Sequence, residues 1–279
     1  MLNSIVLKLE KLKLKWKKSG DDYILSQCPD HNDNTPSFGI NTTTGRGVCF
    51  TCGYKVDRMF WMGNGEIDEE EITRRAMYNE LRAKLKEEEY VTNIVLPPKF
   101  TDVTRGWRGI EDTTDLYICK VGRFENRIIF PIYLEGALVG YTGRNLGDGK
   151  PKYLHNTGFS SADTLYPDVA KQWSDTAYIV EGVMDALSLQ QDGYDAYCNF
   201  GLALFSIKKI STLIKHGVEN IVVFLDNDKA GQQASIKLVQ QLQQYFVVIP
   251  GERTKPFQDM INAGCKDYNE FIQKRSIQL

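Results

Sequence analysis

Ile221-Val222-Val223-Phe224-Leu225-Asp226-Asn227-Asp228-Lys229-Ala230-Gly231 decides the fold. Five apolar residues in succession, three of them β-branched, read as a strand buried on both faces, the kind found in parallel sheets. Asp226 and Asp228 stand two positions apart at its end, so they project the same way. Gly231 and a helix over Gln232–Leu242 follow. The same order occurs earlier. Ala177-Tyr178-Ile179-Val180 is an apolar strand ending at Glu181-Gly182, and a helix follows with Val183, Met184, Leu187 and Leu189 as apolar positions. Asp185 lies four residues after Glu181, so both face one side of the first turn. Open α/β sheets bind ligands at the carboxyl ends of parallel strands. Three or four carboxylates gathered there repel one another unless a cation joins them, and Mg²⁺ prefers such hard oxygen ligands. Asp is also a favoured helix N-cap, so Asp226 or Asp228 could serve only to cap. Two acidic strand ends on successive units favour the metal reading.

Upstream, Cys28-x2-His31 and Cys49-x2-Cys52 have the ligand types and spacing of a tetrahedral zinc site. Lys15–Cys28 reads as a strand into the first knuckle, with Trp16, Tyr23 and Leu25 offering packing. Pro36–Ile40 reads as a second strand, Asn41–Gly47 as a turn and Val48–Phe50 as the return. Zinc would supply folding energy that so small a segment cannot draw from its core. Lys55, Arg58 and the lysines of Lys8–Lys18 are candidate phosphate contacts, or a solvated surface. A helix is expected over Ile67–Tyr90, with Ile72, Ala76, Leu81 and Leu85 as its apolar stripe. Pro97-Pro98 breaks the chain after it.

The middle segment alternates strands and turns. Arg127–Tyr133 is a strand, Glu135-Gly136 a turn and Ala137–Tyr141 the return. Arg127, Arg144 and Lys152 beside Tyr153 suit a phosphate backbone and a stacked base. Gly143–Lys150 is no P-loop, because no Ser or Thr follows the lysine. Composition is that of an ordinary globular chain: 279 residues, 42% hydrophobic, 25% charged, net charge −2. Any basic surface must therefore be local. Three of the six cysteines fall in the zinc spacing, which favours a reducing, intracellular setting. Met1–Gly20 shows no signal peptide or membrane span. Cys119, Cys198, His155 and His216 read as packing or surface residues.

With these residues in hand, the chain resembles the bacterial and phage-type DNA primases. Cys28-Pro29-x-His31, Pro36-Ser37-Phe38 and Cys49-Phe50-x-Cys52-Gly53 look like that family's zinc-binding domain. Arg127–Tyr133, Gly143-Arg144 and Pro151-Lys152-Tyr153-Leu154 are similar to the start of its RNA polymerase domain. Glu181-Gly182 with Asp185, and Asp226-x-Asp228-x-x-Gly231, look like its toprim core. The family usually adds a Lys-Asp-x-x-Asp-like run. Here Lys255-Pro256-Phe257-Gln258-Asp259 has Pro at the first acidic place and keeps only Asp259.

The resemblance implies an α/β fold: a mostly parallel toprim sheet, preceded by a mixed α+β subdomain and an N-terminal β-rich zinc ribbon. The expected parts are a ribbon over 1–63, a helical connector over 64–100, a subdomain over 101–175, the toprim subdomain over 176–255 and a helical tail over 256–279. It implies synthesis of short RNA primers on single-stranded DNA from ribonucleoside triphosphates, with one Zn²⁺ and two or more Mg²⁺ (or Mn²⁺). Glu181 would be metal ligand or general base. Asp226 and Asp228 would hold the ions, Asp185 would support them, and Lys229 would meet phosphate. Arg127, Arg144, Lys152 and Tyr153 would track the template. The expected setting is the cytoplasm, a host cell's if a phage encodes the chain, with the replicative helicase on another chain and no membrane partner. A toprim nuclease or nicking enzyme would use the same carboxylates for hydrolysis. A non-catalytic zinc-dependent DNA-binding replication protein is the other alternative.

Overall fold

The computed structural model describes residues 2–56, 60–61, 69–85, 93–201 and 204–277. The chain forms two compact units, residues 1–85 and 86–279, whose hydrophobic clusters share no residue.

The first unit opens with α1 (Leu2–Lys11). Sequence had shown here only a lysine-rich start, but Ile5 and Leu9, four apart on one helical stripe, are fully buried. Lys8 is not a solvated cation: its ammonium donates to the Phe60 carbonyl and lies 3.9 Å from the centre of that ring. The stretch expected as one strand over Lys15–Cys28 is two, β1 (Trp16–Lys18) and β2 (Tyr23–Ser26). They pair antiparallel, and β3 (Phe38–Asn41), β4 (Gly47–Cys49) and β5 (Lys55–Val56) complete a five-stranded sheet in chain order. Ile24, Phe38, Ile40 and Trp61 pack against Cys28 and Cys49. α2 (Glu69–Lys84) is the described part of the expected connector helix. Its packing differs from the apolar stripe read above. Ala76 is exposed and Tyr78 is buried, while Arg75 donates to the Tyr54 hydroxyl at 3.0 Å. Arg58, residues 67–68 and 86–90, and the side chain of Ile72 lie outside the described residues.

The second unit holds two sheets. The first is antiparallel, in the order β10-β9-β8-β7-β6: β6 (Thr101–Asp102), β7 (Tyr117–Cys119), β8 (Arg127–Leu134), β9 (Ala137–Asn145) and β10 (Tyr153–His155). Glu135 and Gly136 join β8 to β9, with φ of +54° and +78°. A two-residue turn with both φ positive matches the twist of a hairpin.

The second sheet is wholly parallel among its described pairs. Its elements run β11 (Thr176–Val180), α3 (Val183–Gln191), β12 (Ala196–Cys198), α4 (Ile207–Lys215), β13 (Asn220–Val223), α5 (Lys229–Leu242) and β14 (Val247–Pro250), and its strand order is β12-β11-β13-β14. α6 (Lys255–Asn262) and α7 (Tyr268–Ile277) follow. One core joins Ile128, Phe130 and Ile132 of β8 to Val180, Val183, Met184 and Val222 of the parallel layer. Met260, Tyr268 and Ile272 of α6 and α7 belong to the same cluster, so these last helices are packed in rather than trailing. β11 and β13 lie side by side, which brings Glu181 and Asp226 to one sheet margin. Among the described residues no helix is long and apolar enough to cross a membrane.

Candidate active site

In the first unit the four predicted zinc ligands meet. One donor atom from each of Cys28, His31, Cys49 and Cys52 lies within 4.8 Å of every other. The Cys28 and Cys52 sulfurs are 3.7 Å apart, against an edge of about 3.8 Å for a tetrahedron with zinc–sulfur bonds of about 2.3 Å. Backbone N–H groups already point at the sulfurs: Asp30 at Cys28, and Thr51 and Cys52 at Cys49, each at 3.4 Å. Burial opposes ionisation of Cys49, but the Ser37 hydroxyl and these two N–H groups outweigh it and bring the thiol down to about 7. Three thiols and an imidazole with no open position fit structural zinc, and the site is read as such.

In the second unit Glu181 follows directly on β11, and its Oε1 accepts a hydrogen bond from the Asp226 N–H at 3.3 Å. The two strand ends named from sequence therefore touch. Glu181, Asp185, Asp226 and Asp267 line one cavity of about 280 Å³, close to the lower limit of about 300 Å³ for small-molecule sites. Two glycines make this crowding possible. A Cβ on Gly231 would stand 2.1 Å from the Asp226 carbonyl oxygen and 2.9 Å from Glu181 Oε1, and one on Gly182 would stand 2.7 Å from Asp185 Oδ2.

The carboxylates strain against each other. Burial, then the charges of Asp185, Glu181, Asp267 and Asp228, push Asp226 up to about 8. Burial and the neighbouring Asp267 push Asp185 up to about 7. Burial also raises Glu181, with the Asp228 charge adding to it against the Asp226 N–H bond. Such a cluster holds protons near neutral pH and would exchange them for a divalent cation. Asp228 is placed differently from Asp226. It does not line the cavity, and its Oδ1 caps α5 by accepting from the Ala230 and Gly231 N–H groups at 2.9 Å. Both bonds fall on Oδ1, which leaves Oδ2 for an ion. The cap also explains why α5 begins at Lys229, ahead of the expected Gln232. Lys229 itself is exposed and off the cavity.

Arg108, Arg144 and Lys152 line the same cavity. Arg144 donates to the Tyr153 hydroxyl at 2.6 Å and its guanidinium stands 5.3 Å from the ring centre. The Lys152 ammonium is 5.9 Å from the same ring. Tyr153 thus orients two cations. Arg127 has turned inward. It is 6% exposed, and its Nη1 donates to the carbonyls of Gly143 (3.0 Å) and Lys152 (3.5 Å), bracing β8 against β9 and β10. Arg127→Met is expected to remove the guanidinium bonds, leaving the Lys152 carbonyl with its Asn145 N–H alone, and to cost about 1–3 kcal/mol of unfolding free energy. Lys152→Ala should leave the unfolding midpoint in place. Chemical denaturation of both variants checks the split.

Sequence reasoning missed Arg108, His155, Asp267 and Asn269. His155, set aside as packing or surface, lines the cavity and contacts the rings of Phe159 and Phe200. Asp267 had a signal. Lys266-Asp267 has the Lys-Asp order sought at Lys255, where Pro256 stands. Asp259 instead pairs with Lys255 at 2.5 Å and does not line the cavity. Asn269 donates its N–H to Asp185 Oδ1 (3.0 Å) and its amide to the Arg108 carbonyl (2.9 Å). No single-residue pattern announced that link across the chain.

Residues 178–272 match the Toprim-like family, residues 3–89 the CHC2 zinc finger family, and residues 108–166 the N-terminal domain of the DNA primase catalytic core. The chain is thus a toprim-type protein with a CHC2 zinc ribbon. With the primase core domain between them, in this order, it has the domain arrangement of the bacterial-type DNA primases to which it is similar. It is 27% identical over 305 residues to the DNA primase of Clostridium acetobutylicum, covering 85% of this chain and 50% of that one. To the DNA primase of Legionella pneumophila it is 27% identical over 331 residues, covering 92% and 57%. The chain spans about half the length of these curated relatives. The zinc-binding and RNA polymerase domains of Aquifex aeolicus primase align over 96% of this chain and 81% of theirs, at 16% identity and a TM-score of 0.43.

Proposed function

We propose that the chain synthesises short RNA primers on single-stranded DNA, using ribonucleoside triphosphates. The observation that carries this reading is the meeting of Glu181 and Asp226, in a cavity that Asp185, Asp267, Arg108, Arg144 and Lys152 also line. A cavity lined by both carboxylates and cations suits a triphosphate whose metal-bound oxygens meet the carboxylates and whose free oxygens meet the cations. Glu181, Asp226 and Asp228 Oδ2 would hold Mg²⁺ (Mn²⁺ in its place), with Asp185 and Asp267 in support. The ions would supply Lewis-acid relief of charge on the attacking and leaving oxygens. Glu181 is the group to hold or receive the proton of the primer's 3′-hydroxyl. Arg144 and Lys152, oriented by Tyr153, would take template or nucleotide phosphates, and Lys229 phosphate at the rim. The ribbon would help select the start sequence, at about 1–3 kcal/mol per good base contact. On this reading the chain works in the cytoplasm and a replicative helicase on a separate chain delivers its template.

Incubation with single-stranded DNA, ribonucleotides and Mg²⁺ tests this directly. New short RNA is the expected product. Cut DNA would mark a nuclease, and neither product would mark a DNA-binding protein without catalysis.

The carboxylate cluster also sets a pH dependence. Asp185 and Asp226 titrate in the fold near 7 and 8, against about 3.9 in the unfolded chain. Between about pH 4 and 8 the metal-free fold therefore binds more protons than the unfolded chain, and the contribution of these groups to stability falls as pH rises. Mg²⁺ should raise the melting temperature far more at pH 8 than at pH 5, and should release protons when added at pH 7. An equal Mg²⁺ effect at both pH values would remove these two groups from the metal site.

A further inference from the structure

The zinc ligands stand inside a second ring of contacts built on Asp33 and Ser37. Asp33 is 9% exposed and charged, two residues beyond His31. Its Oδ2 accepts three hydrogen bonds: from the Cys28 N–H (3.0 Å), the Ser37 N–H (3.0 Å) and the Ser37 hydroxyl (2.7 Å). Its Oδ1 lies 3.9 Å from His31 Nε2, outside hydrogen-bond range but close enough to act as a charge. His31 Nδ1 is the nitrogen nearer the sulfurs, 4.0 Å from Cys49. Asp33 thus stands by the ring nitrogen that is not the one beside Cys49, where its charge makes the imidazole more basic. The main-chain carbonyl of Asp33 is held in turn by the Gln27 side-chain amide at 2.6 Å.

Ser37 is tied three ways. Its N–H goes to Asp33, its C=O accepts from the Phe50 N–H at 2.9 Å, and its hydroxyl oxygen lies 3.2 Å from the Cys49 sulfur. One residue therefore spans both knuckles, and Asp33 anchors it to the first. A hydroxyl carries a single proton. While Cys49 is a thiol, Ser37 donates to Asp33 and Cys49 donates its S–H to Ser37. When Cys49 binds an ion, the S–H proton leaves to solvent, a sulfur–metal bond forms, and the sulfur becomes an acceptor only. The Ser37 proton can then turn to the sulfur. Asp33 tolerates the loss, because two backbone N–H groups still satisfy the same oxygen.

We propose that Asp33 and Ser37 are positioning residues of the zinc site: Ser37 delivers a hydrogen bond to the Cys49 thiolate in the loaded protein, and Asp33 holds Ser37, Cys28 and His31 in place for it. The ligands are consequently unequal. Cys49 is buried and receives two N–H bonds besides Ser37, whereas Cys52 is exposed. In the loaded protein electrophiles should reach Cys52 first and Cys49 last.

The test uses the full chain loaded with Zn²⁺, and with Co²⁺ as a coloured substitute. Chelator competition should show Ser37→Ala and Asp33→Ala binding Zn²⁺ about 10–100-fold more weakly, with Ser37→Thr, which keeps the hydroxyl, recovering most of the affinity. In Ser37→Ala the sulfur-to-cobalt charge-transfer band should move to lower energy, since the thiolate lone pair loses its donor. Alkylation followed by peptide mapping should show Cys49 modified faster than in the wild-type chain. A purely packing role would weaken binding without moving the band, and Thr would not rescue it. That result, or wild-type affinity, band and alkylation order in Ser37→Ala, overturns the proposal.

Discussion

Glu181→Gln is expected to leave a folded chain that binds single-stranded DNA and makes no dinucleotide. The fold survives because glutamine keeps an oxygen to accept the Asp226 N–H bond made by Glu181 Oε1. What is lost is a charge. A neutral amide is a poor ligand for a hard divalent cation, and it cannot take the proton of an attacking hydroxyl. Lewis-acid stabilisation of a phosphoryl transition state amounts to several kcal/mol, and each 1.36 kcal/mol is about tenfold in rate. Dinucleotide synthesis should therefore fall by roughly a thousandfold or more. A second consequence separates this from general damage. Glu181 is one of the charges that raise Asp226, so Asp226 should ionise at lower pH in the variant, and the metal-free protein should lose less stability between pH 5 and 8. A variant that melts as the wild type does and still makes dinucleotides robustly would strip Glu181 of its role.

The parallel sheet was the most legible part of the chain. Ile221–Leu225 and Ala177–Val180 are apolar without alternation because both faces of a parallel strand are covered, and each ends in an acid because a strand end is where a side chain can reach a ligand. The zinc set was legible for a similar reason: few other arrangements place two thiol pairs, or a thiol and an imidazole, at that spacing. What escaped was decided by tertiary partners. Arg127 looks like any cation on a strand, and only the carbonyls of Gly143 and Lys152 show that it is buried bracing. Asp228 shares its motif with Asp226, yet the N–H groups of Ala230 and Gly231 claim one of its oxygens. Asp267 belongs to the site because α6 and α7 fold back onto the core through Met260, Tyr268 and Ile272. Read as a tail, that segment gave no reason to look for a carboxylate. α1 was hidden by its lysines, since only Ile5 and Leu9 along it are fully buried.

Removal of zinc is expected to unfold the first unit and to spare the second. Among the described residues the first unit's buried cluster has eight members, and two of them, Cys28 and Cys49, are candidate ligands. So small a core supplies little beyond the entropy it must offset. Structural zinc contributes an apparent 10–16 kcal/mol at neutral pH in comparable small sites, more than the whole stability of many domains. A strong chelator, or Cys49→Ser, should therefore abolish the five-stranded ribbon sheet. Trp61 reports it: the ring is 3% exposed and its Nε1 donates to the Gly45 carbonyl at 2.6 Å, so its emission should shift to the red as it meets water. The second unit has its own core around Phe130, Val180 and Val222. Amide exchange in β11 and β13 should stay slow through the same titration, and added Zn²⁺ should restore the Trp61 signal in the wild-type chain. Chelated protein in which Trp61 keeps its emission would mean that the apolar cluster folds the ribbon unaided. Simultaneous loss of protection in β11 and β13 would mean that the two units stand or fall together.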